Sequence, residues 1–294
     1  MTITICVCGA GTMGSGIAQV AAQSGFQTLL FDVNISAIDK AKVAIDKNLQ
    51  YLVDKEKITT SEKTDIYQRI NFTTNIESCT GEIIIEAIAE IEEAKVNLFN
   101  ELATYNNEEV IFATNTSSLS ITALQEKIIV PQRVVGMHFF NPAYIMKLVE
   151  VVKGKHTNDN MASAIFEICR QMNKTPVMCN DAPGFIVNRI ARHYYLESLK
   201  ILEDGIASFD DVDAVFEAMG FKMGPFRLMD LIGMDINLAV SQSLYNAFGK
   251  PERFKPSPLQ IEKVKKANLV KKRERVFTII PHKRHDEFVI MFRK

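Results

Sequence analysis

At 294 residues, with 47% hydrophobic and 23% charged side chains, the chain has apolar material for one large or two medium domains. A formal net charge of −1 gives no global field toward nucleic acid or an anionic membrane surface, and no apolar run reaches the length of a membrane span. The five cysteines include no C-x-x-C pair and the histidines are scattered, so reduced thiols, no metal cluster and, without a charged leader segment, a cytoplasmic location are expected.

In chain order, Ile3–Val7 is a short β-branched run that reads as a strand buried on both faces. Gly9-Ala10-Gly11-Thr12-Met13-Gly14 follows, then a helical pattern over Met13–Gln23, a second strand over Thr28–Phe31, and Asp32 at its end. A bare G-x-G-x-x-G is weak evidence; the setting of strand, turn, helix, strand and acid is what strengthens it. Gly9 permits the tight turn. Gly11, with Thr12 and Met13 after it, lets the backbone approach a pyrophosphate, and Gly14 lets helix and strand pack closely. The helix N-terminus offers N–H groups and the positive end of its dipole to the phosphates. Asp32 stands where a carboxylate accepts ribose hydroxyls and repels a 2′-phosphate, so NAD is the expected cofactor rather than NADP. The bland alternative is a glycine turn kept for packing, with Asp32 as a helix cap.

Ile35 to Arg69 is too long for a simple return and carries charges at helical spacing, so a helical hairpin turning near Lys55–Thr60 is expected to extend from the sheet. Strands over Glu82–Ile88, Val110–Ala113 and Val134–Phe139 then alternate with helical patterns such as Ile91–Leu102. This rhythm predicts an α/β fold, a Rossmann-type doubly wound and mainly parallel sheet with the hairpin as an insertion. His138 falls near the end of a buried strand at the carboxyl edge, where ligands bind in such sheets. Glu150 lies in the apolar run Lys147–Val152, where a carboxylate needs a partner. A secondary alcohol gives up hydride readily only if its hydroxyl proton leaves too. A histidine backed by a carboxylate on its far nitrogen suits that task. From pattern alone, a satisfied core histidine and an edge-strand glutamate account for the pair equally well.

Asn180-Asp181-Ala182-Pro183-Gly184 is a dense turn signal, and beyond it the patterns are helical: Phe185–Glu203, Asp210–Met219 and Met234–Phe248. Ser208 with Asp211 reads as a capping box and Gly220 as a helix stop. The boundary is placed near residue 182, giving a domain of residues 1–182 and a smaller all-helical domain of residues 183–294.

Over residues 1–262 a set of segments stands in one order: G-A-G-T-M-G-S-G-I-A-Q (9–19), E-A-I-A-E (86–90), T-N-T-S-S-L-S (114–120), G-M-H-F-F-N-P (136–142), K-L-V-E-V-V (147–152), D-A-P-G-F-I-V-N-R (181–189) and M-G-P-F (223–226). Together they resemble the 3-hydroxyacyl-CoA dehydrogenase family, in particular its stand-alone bacterial 3-hydroxybutyryl-CoA members. The resemblance implies an NAD-dependent oxidation of a short-chain (S)-3-hydroxyacyl-CoA, with His138 as base and Glu150 behind it. It gives Ser117 the substrate 3-oxygen, Asn188 the substrate and catalytic geometry, and Asn141 the nicotinamide end. Glu90, Lys95 and Lys272 match cofactor contacts, and Asn48 and Lys55 fall where the family meets CoA.

Each role has a plainer rival. Ser117 suits a helix cap, Asn188 an ordinary polar position, Asn141 a turn before Pro142, Glu90 and Lys95 an exposed helix-start pair, and Lys55 solvent. The resemblance also implies a homodimer through the helical domain. The number of apolar residues there, Tyr195, Leu199, Met219, Phe226, Met229, Ile232 and Met234 among them, points the same way. Residues 262–294 depart from the family: Val270–Phe277 carries no glycine where relatives have a Gly-rich stretch. Two other functions fit less of the pattern. One is a dehydrogenase of a free hydroxy or sugar acid; the other is a non-catalytic NAD- or acyl-CoA-binding protein.

Overall fold

The computed structural model describes residues 3–270. Contacts within the chain divide it into two compact units, Met1–Ala182 and a second beginning at Pro183. Lys272 lies outside the described residues. No helix among the described residues is long and apolar enough to cross a membrane.

The first unit runs β1 (Thr4–Cys8), α1 (Thr12–Gln23), β2 (Gln27–Phe31), α2 (Ile35–Asp54), α3 (Thr60–Gln68), β3 (Ile70–Thr73), β4 (Ile83–Glu86), α4 (Glu92–Tyr105), β5 (Ile111–Thr114), α5 (Ile121–Gln125), β6 (Val134–Phe139), β7 (Leu148–Lys153), α6 (Asp159–Gln171) and β8 (Thr175–Asn180). The eight strands form one sheet in the order β3-β2-β1-β4-β5-β6-β7-β8. Pairing is parallel from β3 through β6; β7 runs antiparallel to β6, and β8 is parallel to β7. The sheet grows outward from β1 through β2 to β3, then resumes on the other side with β4. The switch point between β1 and β4 is where doubly wound sheets open a ligand crevice.

The central strands are continuous apolar runs because both faces are covered, and all four residues of β4 and of β5 are buried. The two edge strands, β3 and β8, were not expected from the sequence. Each has only one hydrogen-bonded neighbour and partly exposed side chains: β3 alternates apolar and polar residues, and β8 carries only the short run Val177-Met178-Cys179. Pro176 in β8 lacks a ladder donor, which an edge strand tolerates.

The hairpin turns where expected, and Thr59 caps α3 in a reciprocal box with Glu62. It does not simply project, however. Ile38, Ala41, Ile45 and Leu49 of α2 are buried in the same core as Ile5, Val7, Ile17 and Ala18. On β1, Cys6 and Cys8 share the opposite side of the strand from Ile5 and Val7, with their sulfurs 3.9 Å apart. Buried Cys79 joins them, so that all three sulfurs lie within 4.8 Å of one another, a proximity that sequence spacing does not reveal.

The second unit holds α7 (Val187–Glu203), α8 (Phe209–Ala218), α9 (Pro225–Ile232), α10 (Met234–Ala247) and α11 (Pro258–Val270). Ser208 caps α8 through the Asp211 N–H, and Gly220, at φ +99°, ends the segment after α8. Buried Asp213 of α8 accepts from the Phe226 and Arg227 N–H groups at 2.8 and 3.1 Å, so one helix caps the next. Tyr195, Leu199, Phe226, Met229 and Met234 are core residues of this unit rather than outward-facing ones. Among its described residues the exposed large apolar side chains are Ile190, Ile206, Val215, Met219, Phe221, Ile232 and Ile236.

Candidate active site

Strands β1, β2, β4, β5 and β6 run in one direction, so the segments that follow them collect at one edge of the sheet. These segments carry the glycine turn, Asp32, Glu90 and Ser117, and His138 stands near the same end of β6 itself.

Gly9 leaves β1 at φ +107°, a left-handed conformation that a side chain would strain. A Cβ on Gly14 would lie 1.7 Å from the Gly9 carbonyl oxygen, so turn and helix can only be this close with glycine there. By contrast, a Cβ on Gly11 would meet nothing within 4 Å, so the backbone is open on that side. Gly11 is the N-cap of α1 and makes no side-chain cap bond, which leaves the first-turn N–H groups, including those of Thr12 and Met13, without an intrahelical acceptor. Asp32 accepts from the Ala10 N–H at 2.8 Å and the Asn34 N–H at 2.9 Å, tying the end of β2 to the turn. A bare backbone cradle at a helix start beside a carboxylate fits a dinucleotide.

Behind this turn lies a buried charge network that the sequence reading missed in part. Glu86, fully buried at the end of β4, meets Lys95 Nζ at 2.5 Å and accepts from the Thr114 hydroxyl at 2.7 Å and the Ile88 N–H at 2.8 Å. Lys95 is 1% exposed, which rules out an exposed helix-start pair; its ammonium also lies 3.2 Å from Glu90. Burial pushes the Glu86 carboxyl above its ordinary range, with Lys95 and Thr114 opposing that shift. Burial also acts upward on Glu90, but Lys95 and the hydroxyls of Thr116 and Ser118 outweigh it and hold that carboxyl below its usual range. Glu90 accepts from the Thr116 hydroxyl at 2.5 Å, the Ser118 hydroxyl at 2.9 Å and the Ser117 N–H at 3.2 Å. The loop bearing Ser117 is therefore fastened to a buried ion pair. The signal for Glu86 was the lone acid closing Ile83-Ile84-Ile85, which reads only as the end of a strand.

His138 and Glu150 stand directly opposite each other in the β6–β7 ladder, and Glu150 Oε2 lies 2.7 Å from His138 Nδ1. They are 5% and 1% exposed. The Phe140 ring packs 4.5 Å from the imidazole, and Asn115 accepts the Phe139 N–H at 2.9 Å, holding the end of β6. Since β7 is antiparallel, Glu150 reaches the histidine from the middle of a strand. Asn141 is exposed just beyond β6, joined to Pro142 by a cis peptide bond.

The remaining residues stand elsewhere. Asn48 of α2 donates to Gln19 of α1 at 3.1 Å, and exposed Lys55 lies over the Tyr51 ring at 5.6 Å. Asn188 is the second residue of α7 in the second unit and is half-buried.

Comparison with known proteins accounts for both units. Residues 4–182 match the family described as 3-hydroxyacyl-CoA dehydrogenase, NAD binding domain, and residues 184–279 match its C-terminal domain. The chain is 43% identical to the 3-hydroxyadipyl-CoA dehydrogenase of Escherichia coli (strain K12), over 92% of this chain and 57% of that one. It is 40% identical to the 3-hydroxybutyryl-CoA dehydrogenase of Clostridioides difficile, over 91% of this chain and 96% of the other. A crystal structure of 3-hydroxybutyryl-CoA dehydrogenase from Escherichia coli K12 superposes with a TM-score of 0.90 at 40% identity, over 96% of this chain and 61% of that one. The chain thus spans less than two thirds of the two Escherichia coli proteins and nearly all of the clostridial one. With both of its units matched and the dinucleotide turn in place, the chain belongs to the 3-hydroxyacyl-CoA dehydrogenase family, NAD-dependent oxidoreductases.

Proposed function

We propose that this chain interconverts a short-chain (S)-3-hydroxyacyl-CoA, 3-hydroxybutyryl-CoA among them, and the corresponding 3-oxoacyl-CoA. The observation that carries this reading is the buried His138–Glu150 pair at the same sheet edge as the dinucleotide turn. The glycine turn and Asp32 would hold NAD, which would supply the hydride acceptor for C3 of the alcohol. His138 takes the hydroxyl proton on Nε2 in that direction and returns it in the reverse one. Glu150, on Nδ1, fixes the tautomer and stabilises the imidazolium. Ser117 orients the 3-oxygen from a loop that Glu90 holds. Asn188 holds the substrate, Asn141 serves the nicotinamide end, and Asn48 and Lys55 serve the CoA. Asp32 selects NAD through the ribose. Lys95 acts by fixing Glu90, since its ammonium is already spent on Glu86 and Glu90. In this reading residues 1–182 bind NAD, the residues from 183 onward serve substrate and assembly, and the protein works in the cytoplasm.

The deciding measurement is NADH oxidation with acetoacetyl-CoA, a longer 3-oxoacyl-CoA and free acetoacetate. Turnover on the thioesters and none on the free acid is expected. Preference for free acetoacetate would replace this reading with a free hydroxy-acid dehydrogenase, and tight NADH binding without turnover on any of them would replace it with a binding protein.

A further inference from the structure

The chain between β6 and β7 starts at His138 and crosses to the dinucleotide helix. Its first residue, Phe140, packs its ring against the imidazole. Three residues on, Ala143 is buried against α1, where a Cβ on Gly16 would stand 3.2 Å from Ala143 Cβ. Gly16 follows Gly14 of the phosphate cradle by two residues, so one loop touches both the histidine and the helix that begins at that cradle.

This loop has little backbone bonding of its own. The Ile145 and Met146 N–H groups both donate to the Pro142 carbonyl, at 3.0 and 2.9 Å. The carbonyls of Ala143 and Met146 are served instead by Lys174, whose Nζ donates to them at 2.5 and 2.8 Å. Lys174 stands in the turn between α6 and β8 and is itself well anchored. Its N–H donates to the Cys169 carbonyl at 2.9 Å, and the Thr175 N–H donates to the Lys147 carbonyl at 2.8 Å. A cavity of about 250 Å³ opens beside it, lined by Gln23 and Ser24 of α1 and by Tyr144 and Lys147, so close packing does not support the loop on that side.

The ammonium is half-buried, and burial, with Lys147 beside it, pulls Lys174 down to about 8 against the opposing effect of Cys169. No carboxylate of the described residues is among the groups acting on it. An apolar side chain would avoid that desolvation but could not bond two carbonyls. The lysine is thus explained by the loop it holds.

We propose that Lys174 is a positioning residue for hydride transfer: it fixes the loop between His138 and α1, and so the placing of the base relative to the nicotinamide. This rests on the dehydrogenase reading above. The glycine turn and Asp32 lie away from the loop's two bonds to Lys174, so cofactor affinity and the hydride step should respond differently to its loss.

The test uses the full chain with NADH and acetoacetyl-CoA, reading the single-turnover rate at saturation, the Kd for NADH and the melting temperature. In Lys174→Met the single-turnover rate per folded molecule should fall roughly tenfold to hundredfold, the scale of a small misplacement, while the NADH Kd stays within about threefold. Lys174→Arg, which keeps a charged donor for the two carbonyls, should recover part of the rate. If the methionine variant does not fold, Lys174→Gln is read in the same way. A folded variant with an unchanged single-turnover rate and only a lower melting temperature makes Lys174 a structural residue and overturns the proposal. So does a loss of rate that saturating NADH restores. Turnover by the unmodified protein in either case leaves the dehydrogenase reading standing, whereas no turnover of any 3-oxoacyl-CoA by the unmodified protein takes both down.

Discussion

Glu150 is a carboxylate inside a strand whose neighbours Val149, Val151 and Val152 are fully buried, and the pairing with His138 across the ladder helps to make that position tenable. Glu150→Gln keeps the size and removes the counter-charge of the imidazolium. Turnover should fall steeply and the pH–rate profile should move; an unchanged profile would reduce Glu150 to a structural residue. His138→Gln should bind NADH nearly normally and lose ~10² to 10⁴ in turnover, the usual worth of a general base. Full activity in this variant across the neutral pH range would show that the proton goes elsewhere. At Asp32 the test is cofactor choice. Asp32→Ser removes the negative charge and loosens the tie to the Ala10 N–H, so the ratio of kcat/KM for NADH over NADPH should shrink. Equal use of both by the unmodified enzyme would refute the role. All three residues were legible in the sequence because each is a polar residue bounding or interrupting an apolar run. Lys174 was not: it reads as one more charged residue in a turn, and only its bonds to two distant carbonyls set it apart.

The β4–α4 segment shows how a loop is held by charge rather than by packing. Glu86 is fully buried and depends on Lys95, nine residues on, with Thr114 of β5 supplying a further bond. Lys95→Met would leave that carboxylate without its counter-charge, which typically costs ~3–5 kcal/mol. Urea denaturation should show a loss of that size, and Glu86→Leu added to Lys95→Met should recover part of it. A single variant as stable as the parent would mean that Glu86 is content when protonated. Sequence pattern placed β4 and the start of α4 but could not join Glu86 to Lys95, since the loop between them sets the meeting and has no period. The edge strands β3 and β8 escaped because each is short and partly exposed, with apolar stretches too brief to set a period. The central strands and the helical hairpin were legible because two-faced burial and regular helical charge leave a periodic trace.

As a whole, the chain reads as two folding units of different kinds, and the sequence marks the change of texture at Asn180–Gly184. The apolar residues behind the expected homodimer divide into two groups, of which Met219 and Ile232 belong to the exposed one. Tyr195, Leu199, Phe226, Met229 and Met234 are spent on the second unit's own core, whereas Ile190, Val215, Met219, Phe221, Ile232 and Ile236 remain exposed in this single chain. We propose that these cover one another in a two-fold homodimer. Light scattering at micromolar concentration should give twice the chain mass, and glutamate at Met219 and Phe221 together should shift it toward the monomer. A monomeric parent protein would rule this out. The reversed direction of β7 has a further consequence, for how such a protein can diversify. His138 and Glu150 are locked by the β6–β7 ladder itself, and β8 braces β7 from the far side. The register of the two side chains is therefore set by the ladder and not by the length of the loop that joins the strands. The proton-handling pair is thus carried by the sheet, so changes in the helical and loop segments proposed to meet the substrate can accumulate without disturbing it.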